Sequence, residues 1–90
     1  MTMIELTSDD ALVLFDFLAR EIDGRKGAKL VGAIEHPAEY WALNGLLGHL
    51  EKDLVEPFKS DYRELVDGAR ERRIEQSDPE RTFVIGSSGE

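Results

Sequence analysis

The chain has 90 residues, of which 19 are acidic and 11 basic, and its formal net charge is −8. This length fits a single domain, residues 1–90, with one modest hydrophobic core, and the negative charge disfavours binding to nucleic acid because phosphate backbones repel an acidic surface. The absence of cysteine excludes disulfides, thiolate metal ligands and a cysteine nucleophile, and it fits a reducing compartment such as the cytoplasm.

The N-terminal segment MTMIELTSDD has neither the basic region nor the apolar core of a secretory signal. No apolar run approaches the roughly 20 residues that a membrane span requires. We therefore expect a cytoplasmic protein without membrane contact. Within this segment, residues 3–6 (MIEL) have the composition of a very short strand.

The first helix is predicted to begin after Thr7. Thr7 and Asp10 match a capping box, in which a side-chain oxygen accepts a hydrogen bond from a free amide at the helix start. Apolar residues then recur every three or four positions on one face: Ala11, Leu14, Phe15, Leu18 and Ile22. Gly24 is the predicted end of this helix.

Residues 24–36 are predicted to form a basic loop that contains glycine. The segment carries Arg25, Lys26 and Lys29 and has no acidic residue before Glu35. Its glycines and its lack of sustained periodicity favour a loop over a helix. A solvated loop explains these cations, and contact with an anionic partner is the alternative.

The second helix is predicted over residues 38–55, with Pro37 suited to its first turn. One face is a leucine stripe made of Leu43, Leu47, Leu50 and Leu54. Pro57 is expected to lie just past the end of the helix.

Gly45 and Gly48 lie opposite the leucines of this helix and beside Trp41. Each glycine disfavours a helix interior by about 1 kcal/mol relative to alanine, so a close contact on that face is expected to offset the penalty. The simplest interpretation places the second helix at the centre of the domain, with the first helix on one side and the third helix, or a terminal ribbon, on the other. The alternatives are a docking surface formed by Trp41, Gly45 and Gly48, or a break near residues 44–45.

The third helix is predicted over residues 61–75, with Ser60 as its N-cap. Its apolar side is expected to close the core, with Phe58 filling the preceding turn; that side carries Tyr62, Leu65, Val66 and Ala69. Acidic residues line one edge at spacings of three or four positions: Glu64, Asp67, Glu71 and Glu75. A solvated edge with weak salt bridges to nearby arginines explains this pattern, and a surface for a basic partner is the alternative.

Residues 81–85 (RTFVI) are strand-like, and they are compatible with a two-stranded ribbon with residues 3–6. Such a ribbon is marginal unless helices cover it. Residues 86–90 are expected to form a flexible end.

The sequence offers little for catalysis. His36 with Glu39, and His49 with Asp53, have the spacing of helical metal ligands, but a zinc site needs three or four converging ligands, and no pattern brings these together. The acids occupy water-facing positions of the helical patterns, so none is expected to serve in acid–base chemistry. We expect no cofactor and no enzymatic activity.

Residues 10–15, 50–58, 61–62 and 69–70 carry, in this order, an A-L-V-L-F helix, L-E-x-x-L-V-x-P-F, D-Y and A-R. This pattern resembles that of a family of small acidic bacterial proteins without an established activity. These are chiefly core and capping positions, so the resemblance implies a shared fold and identifies no functional residues.

The predicted fold is mainly α, a compact three-helix domain that also allows the short terminal β-ribbon. The favoured function is a small acidic interaction module that binds another protein, with immunity proteins and antitoxins as an analogy in size and charge. A symmetric homodimer through the tryptophan and glycine face is the second hypothesis, and a metal-dependent enzyme is the least favoured. The candidate contact residues are Trp41, Gly45, Gly48, Glu64, Asp67, Glu71 and Glu75.

Overall fold

The computed structural model describes residues 2–77. Three α-helices dominate this part of the chain: α1 (Ser8–Leu18), α2 (Pro37–Asp53) and α3 (Tyr62–Glu75). A π-helical turn, Ala19–Gly24, continues α1, and a short 3₁₀ turn, Glu56–Phe58, precedes α3. The predicted mainly helical, three-helix architecture is confirmed.

The start of α1 follows the predicted capping pattern. The Thr7 Oγ1 atom accepts a hydrogen bond from the Asp10 amide at 3.1 Å, and this satisfies one of the amides left free at the helix start. Asp9 and Asp10 lie in the first turn, where their charge favours the positive end of the helix dipole. The helical backbone then continues to Gly24, the predicted end.

The basic loop is a series of hydrogen-bonded turns. The Gly27 amide donates to the Glu21 carbonyl at 2.8 Å and closes the helix end. Lys26 and Gly27 both have left-handed backbones, with φ of 54° and 75°. A Cβ atom on Gly27 would lie 2.7 Å from Cε1 of Tyr40, so the turn packs directly against a ring of α2.

The second helix begins as expected, with Pro37 in its first turn and His36 as its N-cap. The Nδ1 atom of His36 accepts a hydrogen bond from the Ala38 amide at 3.0 Å. The leucine stripe faces the core, where Leu47 and Leu50 are buried.

The central helix is α1, and the prediction that α2 is central is wrong. α1 packs against both α2 and α3, whereas α2 and α3 share at most a marginal contact. The Phe15 and Tyr62 rings meet edge to face at a centroid distance of 6.4 Å across the α1–α3 interface. The buried core consists of Leu12, Leu18, Ile22, Leu47, Leu50, Leu54, Val66 and Ala69.

Three local predictions differ from the structure. The N-cap of α3 is Asp61, whose side chain makes no capping hydrogen bond, so Ser60 does not cap the helix. Phe58 is 86 % exposed because the 3₁₀ turn directs its ring outward, so it does not fill the turn. Residues 3–6 form no strand, and the predicted segments 81–85 and 86–90 lie outside the described residues.

Candidate functional site

The four predicted carboxylates of α3 lie on one exposed edge of that helix, here called the acidic edge. Glu64, Asp67, Glu71 and Glu75 are all exposed, and their spacings of three and four positions place them on successive turns. The sequence prediction of their placement is therefore confirmed, and their role in binding stays a prediction.

The arginines beside this edge turn toward α1. Arg72 forms a two-pronged ion pair with Asp9, with nitrogen–oxygen distances of 2.8 and 2.9 Å, and Arg73 contacts Asp10 at 2.6 Å. These two arginines therefore form their ion pairs with α1 and not with the acidic edge. The charges of Glu71 and Glu75 act on Arg72 only as minor causes of its raised pKa, after its contacts with Asp9. Within residues 2–77, Asp67 is the member of that edge that has arginine partners.

A buried carboxylate, Asp16, joins α1 to α3. Its Oδ1 atom accepts from the Tyr62 hydroxyl at 2.8 Å and from Arg63 at 3.1 Å. Its Oδ2 atom accepts from Arg20 at 3.1 Å and from Arg70 at 2.9 Å. Asp16 is only 5 % exposed, so the expectation that every acid faces water is wrong. Four donors satisfy the carboxylate, as a buried charge requires.

Glu21, on the π-helical turn, is the second buried acid and is also 5 % exposed. Its Oε2 atom accepts from Arg20 and from Arg25, both at 3.1 Å. Its Oε1 atom is buried without a partner among the described residues, which is uncommon for a buried polar atom. Arg20 therefore bridges the two buried carboxylates.

Contacts between α1 and α3 shift the pKa values of two groups. Burial, followed by the hydrogen bond to Asp16 and the charge of that carboxylate, raises the pKa of Tyr62 from 10.0 to about 12. At the other end of α1, the hydrogen bond and the charge of Arg72 lower the pKa of Asp9 below its usual value. Both shifts favour the protonation states that hold α1 and α3 together at neutral pH.

The tryptophan and glycine face of α2 is open. Trp41 is 64 % exposed, and its ring meets the edge of Tyr40 at 5.4 Å. A Cβ atom on Gly45 or Gly48 would have no neighbour within 4 Å. Within residues 2–77 no element covers this face, so the interpretation that the third helix packs there is wrong. The alternative, a terminal ribbon, includes residues 81–85, which lie outside the described residues.

The two histidine pairs do not assemble a metal site in the described part of the chain. His36 caps α2, and the Oε1 atom of Glu39 accepts from the Glu35 amide at 2.9 Å, so both side chains serve the start of that helix. His49 and Asp53 line a separate groove. Residues 2–77 contain no group of three or more histidine, aspartate or glutamate side chains placed to hold a metal.

Two of the grooves among the described residues have mostly apolar walls and lie beside α2. One, of about 330 Å³, lies between the basic loop and the start of α2, with Val31, Ile34 and Tyr40 among its walls. The other, of about 290 Å³, lies between the N-terminal segment, α1 and α2, and it includes Leu6 and Leu46. Both linings are mostly apolar.

Sequence reasoning missed Asp16 and Glu21 because it assigned acids to the solvent. One local signal was present: Asp16 lies four positions after the core residue Leu12, so a helix places both on one face. Two arginines spaced by two helical turns, Arg63 and Arg70, are its partners on α3.

No helix in the described part of the chain is both long and apolar enough to cross a membrane. Comparison with protein-family models, curated proteins and solved structures finds no match to this chain. The family resemblance in the sequence therefore stays a prediction about the fold.

Proposed function

We propose that the protein is a small acidic interaction module that binds another protein, one with a basic surface, through the acidic edge of α3. The observation that carries the proposal is the division of charge on α3. Its arginines pair with acids of α1, while Glu64, Glu71 and Glu75 are exposed and have no ion pair within residues 2–77.

The physical basis is electrostatic complementarity. The chain carries a net charge of −8, which attracts a basic protein over roughly one Debye length, about 8–10 Å at physiological salt. Such attraction raises the association rate more than it slows dissociation. The expected complex is therefore stoichiometric, fast to form and sensitive to salt.

The proposal is tested by capturing partners from the native host with immobilised protein and eluting them with increasing NaCl. We expect one stoichiometric partner with a basic surface that elutes at moderate salt. The variant Glu64→Gln/Glu71→Gln should lose most of that partner, because both substitutions remove exposed negative charge from the contact edge.

The matched control is Glu51→Gln/Asp53→Asn, which removes the same charge from exposed positions on α2. It should retain the partner. Equal loss from the two variants would show that only overall charge matters, and the absence of any stoichiometric partner would contradict the proposal itself.

Immunity proteins and antitoxins form the class that we favour within this proposal. They neutralise a toxin by stoichiometric contact, and an acidic surface suits a basic target; size and charge alone support the analogy. A cytoplasmic location is part of the same proposal, supported by the lack of cysteine. A basic toxin-like product encoded by a neighbouring gene would strengthen it.

A second candidate function is self-association through the face formed by Trp41, Gly45 and Gly48. The observation that favours it is the open space at both glycines together with the exposed tryptophan. The two glycines disfavour the helix by about 2 kcal/mol in total, and no contact within residues 2–77 offsets this penalty. Close approach of a second α2 helix would do so.

Analytical ultracentrifugation separates the two candidates. A dimer through α2 should dissociate on dilution, and Trp41→Ala should shift the equilibrium to the monomer, because tryptophan is a frequent source of binding energy at interfaces. Exposed Val31→Ala is the control outside this face. A monomer at all concentrations would exclude self-association and leave the acidic-edge proposal intact.

A further inference from the structure

Four arginines converge on the two buried carboxylates. Arg20, Arg63 and Arg70 contact Asp16 at 2.9–3.1 Å, and Arg20 and Arg25 contact Glu21 at 3.1 Å. We call Arg20, Arg25, Arg63 and Arg70 the arginine cluster. Its members lie on the turns that follow α1 and on α3, so the packing of the domain holds these cations close together.

The cluster keeps free hydrogen-bond donors at the surface. Arginine has five N–H donors, yet Arg63 and Arg25 each make a single side-chain hydrogen bond within residues 2–77. The cluster side chains remain 40–58 % exposed, whereas the side chains of the two acids beneath them, counted without their backbone atoms, are 7 % exposed. Each guanidinium therefore has a buried acid on its inner side and an outer side open to solvent, which in Arg63 and Arg70 also contacts Asp67.

The cluster also holds more positive than negative charge. Its four guanidinium groups face two buried carboxylates and one exposed one, Asp67. The Arg20 and Arg70 nitrogens bind the same oxygen of Asp16 at 3.1 and 2.9 Å. They therefore lie within about 6 Å of each other, a separation that one anion can bridge with two charge-assisted hydrogen bonds.

We propose that the arginine cluster binds a small oxyanion of the phosphate type on its outer side. The anion relieves the repulsion between the guanidinium groups and accepts their free N–H donors, the geometry for which arginine is suited. The ordering of these side chains by Asp16 and Glu21 lowers the entropic penalty of binding. An extended polyanion such as RNA is disfavoured by the surrounding net charge of −8.

The test is a titration with inorganic phosphate, followed by the arginine Nε–Hε signals in NMR spectra at low ionic strength. We expect saturable shifts at Arg20, Arg63 and Arg70 with a Kd on the order of 1 mM. Sodium chloride at matched ionic strength should not reproduce them. Shifts that fail to saturate, or that chloride reproduces, would overturn the proposal.

Two variants make the test specific. Arg63→Gln should weaken phosphate binding about tenfold, because one charge-assisted contact is lost. Arg73→Gln is the matched control: it removes the same charge from the same helix and also breaks an α1–α3 ion pair, but it lies outside the cluster. Equal weakening by the two variants would show that only net charge matters.

A third variant acts in the opposite direction and does not disturb the buried network. Asp67 is 54 % exposed and contacts Arg63 and Arg70 from outside. Asp67→Asn removes this competing charge and should tighten phosphate binding about fivefold. Unchanged or weaker binding in a folded Asp67→Asn protein would contradict an oxyanion site on the outer side of the cluster.

Discussion

At the residue scale, the turn after α1 depends on Gly27. Its φ of 75° is strained for any other residue, and a Cβ atom there would lie 2.7 Å from Cε1 of Tyr40. The preceding residue, Lys26, also has a left-handed backbone conformation, with φ of 54°. The chain therefore changes direction at two successive residues. This geometry connects the basic loop to the first turns of α2.

We predict that Gly27→Ala destabilises the fold by about 2 kcal/mol. Left-handed backbone disfavours alanine by about 1–2 kcal/mol, and the Tyr40 ring must also move. The free energy of unfolding in urea measures the effect. Gly32→Ala is the control in the same loop, since a Cβ atom there has no neighbour within 4 Å; a loss as large as that of Gly27→Ala would refute the explanation.

Tyr62 provides a pH prediction at the same scale. Its pKa is raised from 10.0 to about 12 in the folded protein, so below pH 10 it is protonated in both states and its full stabilisation is present. Between pH 10 and 12 the unfolded chain ionises first, and stability is therefore lost as the pH rises. We expect the stability contributed by Tyr62 to disappear across this interval.

The measurement is the tyrosinate absorbance at 295 nm in a Tyr40→Phe background, where Tyr62 is the one remaining tyrosine. The expected midpoint is close to pH 12. Adding Asp16→Asn should lower the midpoint, because the carboxylate charge and a strong acceptor are removed. A midpoint near pH 10 in the folded Tyr40→Phe protein would show that Tyr62 does not bind Asp16.

At the scale of elements, the helices could be predicted because their signals are local. The Thr7 cap, the proline at the start of α2 and the apolar periodicity each act within a few residues. The order of packing could not be predicted, because it depends on partners far apart in the chain. Asp16 lies 47 and 54 residues from Arg63 and Arg70, and those contacts help to make α1 the central helix.

The glycines of α2 give a prediction for a whole helix. Gly45→Ala and Gly48→Ala should each stabilise the monomer by about 1 kcal/mol, because the added methyl groups meet no neighbour. For a domain of this size, each substitution raises Tm by roughly 4–8 °C. Calorimetry at low protein concentration measures it.

The same variants bear on self-association. If two copies meet at this face, alanine should weaken the dimer in ultracentrifugation while stabilising the monomer. Gly24→Ala, outside α2, serves as the comparison, since a Cβ atom there meets the Ala19 carbonyl oxygen at an ordinary contact distance of 3.8 Å. Destabilised monomers at both α2 positions would show that another part of the chain covers the face.

At the scale of the whole molecule, the ion pairs of Asp16 connect α1 to α3 and to the turn that carries Arg20. We predict that Asp16→Ala destabilises the fold by about 2–3 kcal/mol. Removing one side of a buried ion pair typically costs about 3–5 kcal/mol, and the partly exposed arginines recover some hydration. Chemical denaturation measures the loss.

Asp67→Asn is the control for that prediction. It contacts two of the same arginines but is 54 % exposed, so we expect a change below about 0.5 kcal/mol. Similar losses for Asp16→Ala and Asp67→Asn would mean that the buried network contributes no more than surface pairs do.

The candidate site could be predicted only in part. The acidic edge could be predicted because its residues have helical spacing. The face formed by Trp41 and the two glycines could be predicted because these residues lie opposite the leucine stripe of the same helix. The ion-pair partners of the α3 arginines could not be predicted from the sequence, since they depend on the acids that α1 places opposite them in the folded protein. The arginine cluster therefore emerges only once α1 and α3 are packed together.

The ion pairs of Arg72 with Asp9 and of Arg73 with Asp10 place the last turn of α3 beside the first turn of α1. A circular permutant of the whole chain, with a flexible linker from residue 90 to residue 1 and new termini in the basic loop, for example between Gly32 and Ala33, should keep this contact. Such a circular permutant should also keep its helical circular dichroism and its cooperative unfolding.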